Sequence, residues 1–442
     1  MVIRRTAVFF ALFLSLLASS ASPAFAQPAA ATARQTRDPL HVLLITMGPG
    51  ADPWEKFGHN AIEIVDLETG SDRCYNWGVF SFGEGVSGFL GFTWHFLQGR
   101  LWYSMQSDPA GPMLEAYADA GRSVLVQELQ MTHEQKAALQ HRLQAQDTDA
   151  NRYYLYDYFL KNCSTMARDA IDQTVDGRVA AALRDVPTGT TYRWHDRRLT
   201  ADELWLYTFL DFALGHPIDH ELSEWQESFL PMKLATHLRE VRVPDPDGHL
   251  VPLVMWEKQL APGAFQERDT PPRYFFWGFL ATGLAIGGAL YALGRLGQRF
   301  LIGRIAFWII AFPLLLFLAL LGSLATWAWF TDHAAAHWNE NWLQVNPSSL
   351  VLLFAIFAAR RWPRVALRCA AVVVALSAFG LVIKILPWFR QPNAEIIALV
   401  LPLHVGMLLG LAALAHRRPK AAAQQPDALT SAPSTSHSYP RS

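Results

Sequence analysis

Five long apolar stretches after residue 270 constrain this chain more than any other feature. Each approaches the ~20 residues that a helix needs to cross the ~30 Å hydrocarbon layer of a bilayer. A soluble chain carries charge on about a quarter of its residues, whereas this chain of 442 residues carries it on 17%. The sequence therefore predicts an all-α membrane domain of about five transmembrane helices over residues 274–416. The stretches are 275–294, 305–331, 341–359, 369–383 and 396–415.

The charges are unevenly distributed along the chain, and their distribution predicts its orientation. Residues 271–442 hold 14 Lys and Arg against 4 Asp and Glu, and most of these cations lie in three loops. Positively charged loops stay in the cytoplasm, so the preceding part of the chain is predicted outside and the C-terminus inside. Residues 27–270 hold 21 Lys and Arg against 34 Asp and Glu. Such an acidic domain repels phosphate, so nucleic acid is not expected as a partner. The Arg-rich loops lie at 295–304, 360–368 and 417–420.

The N-terminus has the pattern of a secretory signal peptide. Arg4 and Arg5 precede an apolar run over residues 7–18, and small residues at 24–26 provide an A-x-A cleavage site. The run is short for a membrane span, and a retained N-terminal anchor is the alternative. The predicted organisation is a signal peptide (1–26), an exported domain (27–260), a linker (261–273), the membrane domain (274–416) and a disordered cytoplasmic tail (417–442).

The exported domain is predicted to be α+β. Alternating apolar residues predict strands over 41–48, 58–66 and 73–80. Capping boxes predict two helices, one opened by Thr132 with Gln135 and one opened by Thr200 with Glu203 and running to about Leu214. A turn at 245–248 is predicted to join two further short strands.

Cys163 and His59 are the candidate catalytic pair. Cys163 lies where a helix begins in "LKNCSTMARDAID", and a thiol near the positive end of the helix dipole is expected to have a lowered pKa. His59 lies at the start of a predicted strand in "FGHN" and is the candidate base. A strand histidine facing a helix-start cysteine is the arrangement of papain-type thiol enzymes, and this chain order occurs in permuted NlpC/P60 relatives. Asn76 or Glu63 is predicted to orient the imidazole.

The spacing of these residues alone also allows interpretations in which they have no catalytic role. A single cysteine is most often a small buried apolar residue, and a strand histidine is often only hydrogen-bonded. Cys163 and Cys74 could instead form a disulfide in an exported domain. His333 and His337, with Asp332 and Glu340 nearby, make a zinc site conceivable, but a convincing third ligand is missing. The aromatic residues between 77 and 96 could line an acyl-chain groove or simply pack.

Several separated motifs resemble the exported domain of Lnb, the lipoprotein intramolecular transacylase family. The resemblance implies a papain-like thiol acyltransferase with Cys163 as nucleophile and His59 as base, and no metal or cofactor. It implies diacylglyceryl-modified lipoproteins and membrane lipid as partners, the sn-2 acyl chain being moved to the N-terminal amine. Asn162, Trp77 and Arg193 are the candidate substrate-binding residues. The motifs are 43–66, "YNWGVFSF" (75–82), 96–105, 160–172, "TYRWHDRRL" (191–199), 212–219, 229–231 and 330–347.

Two other functions use the same features. A membrane-tethered cell-wall amidase or peptidase of NlpC/P60 type would use Cys163 and His59 with water as the acceptor. A membrane scaffold whose exported domain binds an envelope partner would need no catalytic thiol, and a native disulfide between Cys74 and Cys163 would favour it. The sequence does not indicate the oligomeric state.

Overall fold

The structure is a computed structural model, and it describes residues 38–265, 267, 270–357 and 362–416. The predicted signal peptide and the predicted cytoplasmic tail lie outside the described residues. The same holds for three linker residues and for part of the Arg-rich loop at 360–368.

A seven-stranded antiparallel sheet forms the centre of the exported domain, with the strand order β6-β4-β3-β2-β1-β5-β9. The three strands predicted from alternation are β1, β2 and β3, and the turn at 245–248 joins β7 to β8 in a separate hairpin. The strands are β1 (Leu40–Met47), β2 (His59–Asp66), β3 (Ser71–Val79), β4 (Trp102–Pro109), β5 (Val124–Leu129), β6 (Tyr153–Leu155), β7 (Arg242–Pro244), β8 (Leu250–Pro252) and β9 (Val254–Ala261).

Nine α-helices of the described residues accompany these strands, so the α+β prediction is confirmed. They are α1 (Gly85–Gln98), α2 (Ala110–Asp119), α3 (His133–Gln146), α4 (Cys163–Thr174), α5 (Arg178–Leu183), α6 (Tyr192–Thr200), α7 (Leu204–Ala213), α8 (Glu224–Glu227) and α9 (Pro231–His237).

The two faces of the sheet are covered by different helices. On one face α3 and α4 pack through Leu139 and Ile171 on the side chains of Leu44 and Ile62, all fully buried. On the other face the smaller helix α2 covers a second cluster that includes Cys74. Because side chains alternate along a strand, consecutive residues within β2, and likewise within β3, point to opposite faces of the sheet.

One of the two predicted capping boxes is present. Thr132 caps α3 and accepts a hydrogen bond from the backbone N–H of Gln135. Thr200 does not open a helix: it is the last residue of α6, and its hydroxyl donates to the carbonyl of Asp196. The next helix begins only at Leu204 because Glu203, the expected partner of Thr200, instead forms an ion pair with Lys56 at 2.8 Å.

The C-terminal region is helical, and four helices of its described residues are long and apolar enough to cross a membrane. Each coincides with a predicted stretch to within a few residues. They are α10 (Phe276–Gly297), α11 (Leu301–Ala328), α13 (Pro363–Val382, continued as a 3-10 turn to Ile385) and α14 (Ala394–Ala415).

The stretch predicted over 341–359 differs from the other four. Its helix, α12 (Ser348–Phe357), begins seven residues later than predicted and is described up to the gap at 358–361. Asn341 and Gln344 precede it as buried polar residues. Their amides donate to the carbonyls of Asp211 and Ser377, each at 3.0 Å, and a separate 3-10 turn (Glu340–Leu343) stands where the helix was predicted to begin. The predicted start at Asn341 is therefore wrong.

A buried polar network, which we name the polar junction, joins α6 and α7 to the ends of the membrane helices. Asp211 accepts hydrogen bonds from the guanidinium groups of Arg193 and Arg197. Tyr207 of α7 donates to Glu395 at the start of α14, at 2.6 Å, and Arg197 also donates to the Pro392 carbonyl. Because these groups are almost inaccessible to solvent, the junction fixes the exported domain on the membrane helices.

Candidate active site

The N-terminus of α4 is organised by Asn162. Its side-chain oxygen accepts the backbone N–H groups of Ser164 and Thr165, both at 2.9 Å, and the Thr165 hydroxyl accepts the N–H of Asn162 in return. This capping box places Cys163 at the first helical position. The cap leaves the N–H of Cys163 directed at its own sulfur. The Cys-Ser-Thr sequence therefore forms a helix start in which the backbone N–H of Cys163 lies beside the thiol.

The Cys163 thiol enters a split between two strands of the sheet. The pairing of β2 with β3 ends at Ala61 and Asn76, although β2 remains paired with β1 as far as His59. The backbone N–H of Asn60 points at the Cys163 sulfur. Gly78 of β3 lies against Cys163 from the other side, since a methyl group built on Gly78 would be 3.9 Å from its Cβ. The sulfur thus lies next to the residue that follows His59.

His59 is oriented by Asn76, which extends from the neighbouring strand. The Nε2 of His59 lies 3.2 Å from the side-chain oxygen of Asn76. The amide nitrogen of Asn76 is used elsewhere, because it donates to the Cys74 carbonyl at 3.3 Å and lies 3.2 Å from the Met113 sulfur. These contacts present the Asn76 oxygen to the imidazole, so Nε2 carries the proton and Nδ1 is left with a free lone pair. In this tautomer His59 can act as a base through Nδ1.

Glycine at position 58 allows the close approach that begins β2. Gly58 has φ of +79°, and a methyl group there would lie 2.9 Å from the Met47 carbonyl oxygen. Any other residue would meet both the strain of this conformation and a clash with β1. The glycine that precedes the histidine in "FGHN" therefore sets where His59 enters the strand.

Burial keeps both members of the pair uncharged in the resting protein. Burial is the main cause that lowers the pKa of His59 from 6.5 to about 4; the hydrogen bond to Asn76 opposes it and Arg122 adds to it. Burial likewise raises the pKa of Cys163, against the backbone N–H groups of Asn60 and Ser164 and the charge of Arg122. The expectation of a lowered thiol pKa is therefore wrong. Loss of hydration outweighs the dipole at the helix start.

Arg122 and Tyr117 complete the surroundings of the imidazole, and neither residue was predicted from the sequence. The Tyr117 ring stacks on His59 with 6.0 Å between ring centroids and 11° between planes. The Arg122 guanidinium lies 4.7 Å from the centre of the Tyr117 ring and donates to the Gly48 carbonyl. Arg122 is nearly fully buried, so its charge acts on the site with little screening.

Comparison with known proteins identifies a known domain in this chain. Residues 26–198 match the family model described as the Lnb N-terminal periplasmic domain. This part of the chain is therefore an Lnb-type domain. The matched range contains Cys163, His59 and Asn76, and the helices that follow Arg198 lie beyond it. No curated protein and no solved structure matches the chain. The resemblance predicted from the motifs is thus confirmed, and it indicates an enzyme of lipoprotein processing.

The structure distinguishes between Asn76 and Glu63, the two residues predicted to orient His59. Asn76 contacts the imidazole. Glu63 lies on the same face of β2 but is hydrogen-bonded to Asp72, and burial first, then the neighbouring Asp72, raises its pKa to about 8. Within this structure Asn76, and not Glu63, contacts the imidazole of His59.

The cysteines of the Lnb-type domain are separate and free. Cys74 belongs to the cluster on the α2 face of the sheet, whereas Cys163 belongs to the α4 face. Burial, followed by the nearby carboxyl groups of Glu63, Asp72 and Asp108, raises the pKa of Cys74 well above its usual value. The structure contains no disulfide between them, which leaves Cys163 as the thiol of the site.

The three candidate substrate-binding residues of the Lnb-type domain are committed to internal contacts. Asn162 caps α4, and its amide nitrogen donates to the carbonyls of Tyr158 and Phe229. Trp77 is 1% exposed in the core beneath α4. All five N–H groups of Arg193 are used within the polar junction and its surroundings. The polar groups of Asn162 and Arg193 are therefore occupied, and the indole nitrogen of Trp77 is buried without a hydrogen-bond partner.

The conceivable zinc ligands also have other partners. The Nε2 of His333 lies 2.6 Å from the Phe96 carbonyl and that of His337 lies 2.9 Å from the Thr331 carbonyl. Asp332 pairs with Arg100, and Glu340 pairs with a lysine of the membrane helices. Asp332 and His333 thus attach the loop between α11 and α12 to the exported domain, whereas His337 and Glu340 have partners within the loop and on the C-terminal helices.

Proposed function

We propose that this protein is a membrane-bound cysteine acyltransferase that converts diacylglyceryl lipoproteins to their lyso form. The observation that carries the proposal is the hydrogen bond between His59 Nε2 and the Asn76 oxygen, at the point where β2 and β3 separate and the backbone of Asn60 meets Cys163. A helix-start cysteine with a histidine and an asparagine on adjacent strands is the papain-like arrangement. The Lnb-type domain supports lipoproteins as the substrates.

The first half of the reaction transfers an acyl chain to the enzyme. The Cys163 sulfur attacks the carbonyl carbon of the sn-2 ester while His59 takes the thiol proton, so the resting pair need not be ionised. In this proposal the backbone N–H of Cys163, at the helix start, stabilises the oxyanion. The bond from carbon to the glyceryl oxygen then breaks, and His59 returns the proton to that oxygen. The products are an acyl thioester on Cys163 and a lyso alcohol.

The second half passes the acyl chain to nitrogen. The α-amine of the lipidated N-terminal cysteine attacks the thioester, and neutral His59 accepts a proton from it. The carbon–sulfur bond breaks, and the proton held by His59 restores the thiol. Donor and acceptor belong to one membrane-anchored molecule, and a thiol fixed on membrane helices suits such a substrate. The residues present supply every step without a metal or a cofactor.

Isotope-labelled lipopeptide tests this reaction. The full-length protein in detergent is incubated with an equimolar mixture of two diacylglyceryl lipopeptides, one labelled in both the peptide and the sn-2 chain. Mass spectrometry should find lyso-lipopeptide in which a labelled N-acyl chain occurs only on a labelled peptide. Release of free fatty acid without amide formation would replace the proposal with a hydrolase, and cleavage of peptidoglycan stem peptides instead would indicate the amidase. Absence of any turnover would favour the envelope-binding alternative.

We further propose that the protein is a multi-pass protein of the inner membrane with its C-terminus in the cytoplasm. The Arg residues that follow the first and third apolar stretches, together with Arg417, Arg418 and Lys420, support this orientation. A reporter that is active only in the periplasm should stay silent when fused after Lys420. The same reporter fused within the loop at 331–339 should be active. Activity at the first position would show that a membrane segment has been miscounted.

A further inference from the structure

The helix α1 is largely apolar and exposed, and its polar side chains are Ser87, Thr93, His95 and Gln98. It has no Asp, Glu, Lys or Arg, and none of its fourteen residues is buried. Leu90 is 61% exposed and Phe89 is 56% exposed. A helix that faces water on most of its surface carries charged residues, and exposed apolar patches of this kind mark surfaces that are covered by something else. The surface of α1 therefore needs an apolar partner.

The C-terminal end of α1 is attached to the end of a membrane helix. The Trp94 ring lies 6.1 Å from that of Trp327, which also donates from its indole nitrogen to the Leu97 carbonyl. Gly99 follows α1 so closely against the loop after α11 that a methyl group there would lie 2.6 Å from the backbone nitrogen of His333. The ion pair of Arg100 with the same loop adds a further contact. The helix is thus held at the level where α11 ends.

Tryptophans mark that level as the membrane–water interface. Trp329, at the end of α11, lies 6.2 Å from Trp338 and 5.9 Å from Trp342, measured between ring centroids. Clusters of tryptophan at the ends of membrane helices are typical of the headgroup region. Because α1 contacts this group of tryptophans, its apolar partner is the lipid leaflet that surrounds α11.

A continuous series of aromatic rings connects α1 with the thiol. Phe92 of α1 lies 4.8 Å from Phe82 and 6.0 Å from Phe80. Phe80 stacks on Tyr103 at 5.0 Å, and Tyr103 stacks on Tyr156 at 4.3 Å, each between ring centroids. Tyr156 and the Cβ of Cys163 both lie against Gly78, within 4 Å of the position that a methyl group there would take. Phe80 and Phe82 remain more than one-third exposed, so the series is open to an incoming apolar chain.

We propose that α1 lies in the leaflet on the exported side of the membrane, and that these rings guide an acyl chain of a leaflet lipid to Cys163. We name the series from Phe92 to Tyr156 the aromatic path. Rings of this kind offer an apolar surface with few rotatable bonds, so an acyl chain can be held there at small entropic cost. The inference rests on the proposed function for what happens to the chain, but the contact with lipid does not depend on catalysis.

Photolabelling separates the two claims. The full-length Cys163→Ala protein is placed in vesicles of phosphatidylethanolamine and phosphatidylglycerol that contain a diacyl lipid with a diazirine at the end of one chain. After illumination we expect label in the tryptic peptide 74–100, which holds α1, and in peptides 101–122 or 153–161, which hold Tyr103 and Tyr156. Peptide 57–73 should carry none. Label in the membrane helices without label in 74–100 would overturn the position of α1, and label confined to 74–100 would overturn the aromatic path.

A matched pair of variants tests whether lipid contact serves the reaction. Leu90 on α1 and Leu67 in the turn after β2 are 61% and 65% exposed, so neither should be needed for folding. Leu90→Asp should reduce labelling of 74–100 several-fold and raise KM for the lipopeptide with little change in kcat, because a carboxylate resists entry into the leaflet. Leu67→Asp should match the wild type. Equal effects of both variants would overturn the inference, whereas normal labelling in a protein without transacylase activity would overturn only the proposed function.

Discussion

Replacing Cys163 by alanine should abolish transacylation, with a loss of at least about a thousandfold in turnover. The variant keeps Cβ and the capping box of α4, so its free energy of unfolding should fall by only about 1 kcal/mol. Cys163→Ser should be almost as inactive, because the hydroxyl has a far higher pKa and the site is dehydrated enough to raise even the thiol pKa. The measurement is the rate at which N-acyl lyso-lipopeptide forms from diacylglyceryl lipopeptide.

The second thiol of the exported domain provides the control. Cys74→Ala removes a buried thiol from the opposite face of the sheet, and it should leave the rate close to that of the wild type. Thermal unfolding of all three variants shows whether any loss reflects folding. Conversion of lipopeptide by a folded Cys163→Ala protein would refute the thioester mechanism.

His59→Ala should have the second largest effect, and its signature is the dependence of rate on pH. The pKa of His59 is lowered to about 4, so the wild-type imidazole is neutral and can accept a proton at every higher pH. Acylation of Cys163, measured as release of the lyso alcohol, should therefore persist at pH 5, where an exposed histidine is mostly charged, and fall as the pH drops through about 4. The second half also needs a neutral acceptor amine, so it should slow at a higher pH. Without His59 the remaining activity should rise with pH until the thiol ionises unaided, above its usual pKa.

A histidine outside the site serves as the comparison for His59. His41 on β1 pairs with Glu128 at 2.6 Å, and His41→Ala should keep the wild-type pH profile. The assay is kcat/KM for the lipopeptide between pH 4 and pH 10. A wild-type profile with its acid limb near 6.5, or a His59→Ala profile parallel to that of the wild type, would contradict the role of His59 as the base.

Local sequence patterns predicted those parts of the molecule that local interactions decide. Short apolar, strand-like runs bounded by turn residues predicted β1 to β3, and the sheet buries these runs beneath helices on both faces. The Asn-Cys-Ser-Thr sequence predicted the helix start at Cys163, since the cap involves only residues 162–165. Asn76 could be named as a partner of His59 because a short turn joins their strands and fixes the register.

Contacts between distant parts of the chain decided what was predicted wrongly or missed. The start of α12 depends on bonds from Asn341 to α7, which are 130 residues away in the sequence. The raised pKa of Cys163 depends on burial from several elements, and no local feature shows it. Tyr117 stacks on the imidazole and Arg122 lies over Tyr117, and both are about 60 residues from His59 in the sequence. Arg193 resembled a ligand-binding arginine in sequence, but its partners Asp211 and Asp219 can be seen only in the folded chain.

The polar junction sets the height at which the thiol works. Arg197, Asp211, Tyr207 and Glu395 are buried together, and removal of one partner from such a set costs about 3–5 kcal/mol. The exported domain therefore cannot tilt or descend toward the bilayer without breaking these bonds. We therefore expect the lipid ester to move to Cys163 while the exported domain stays in place.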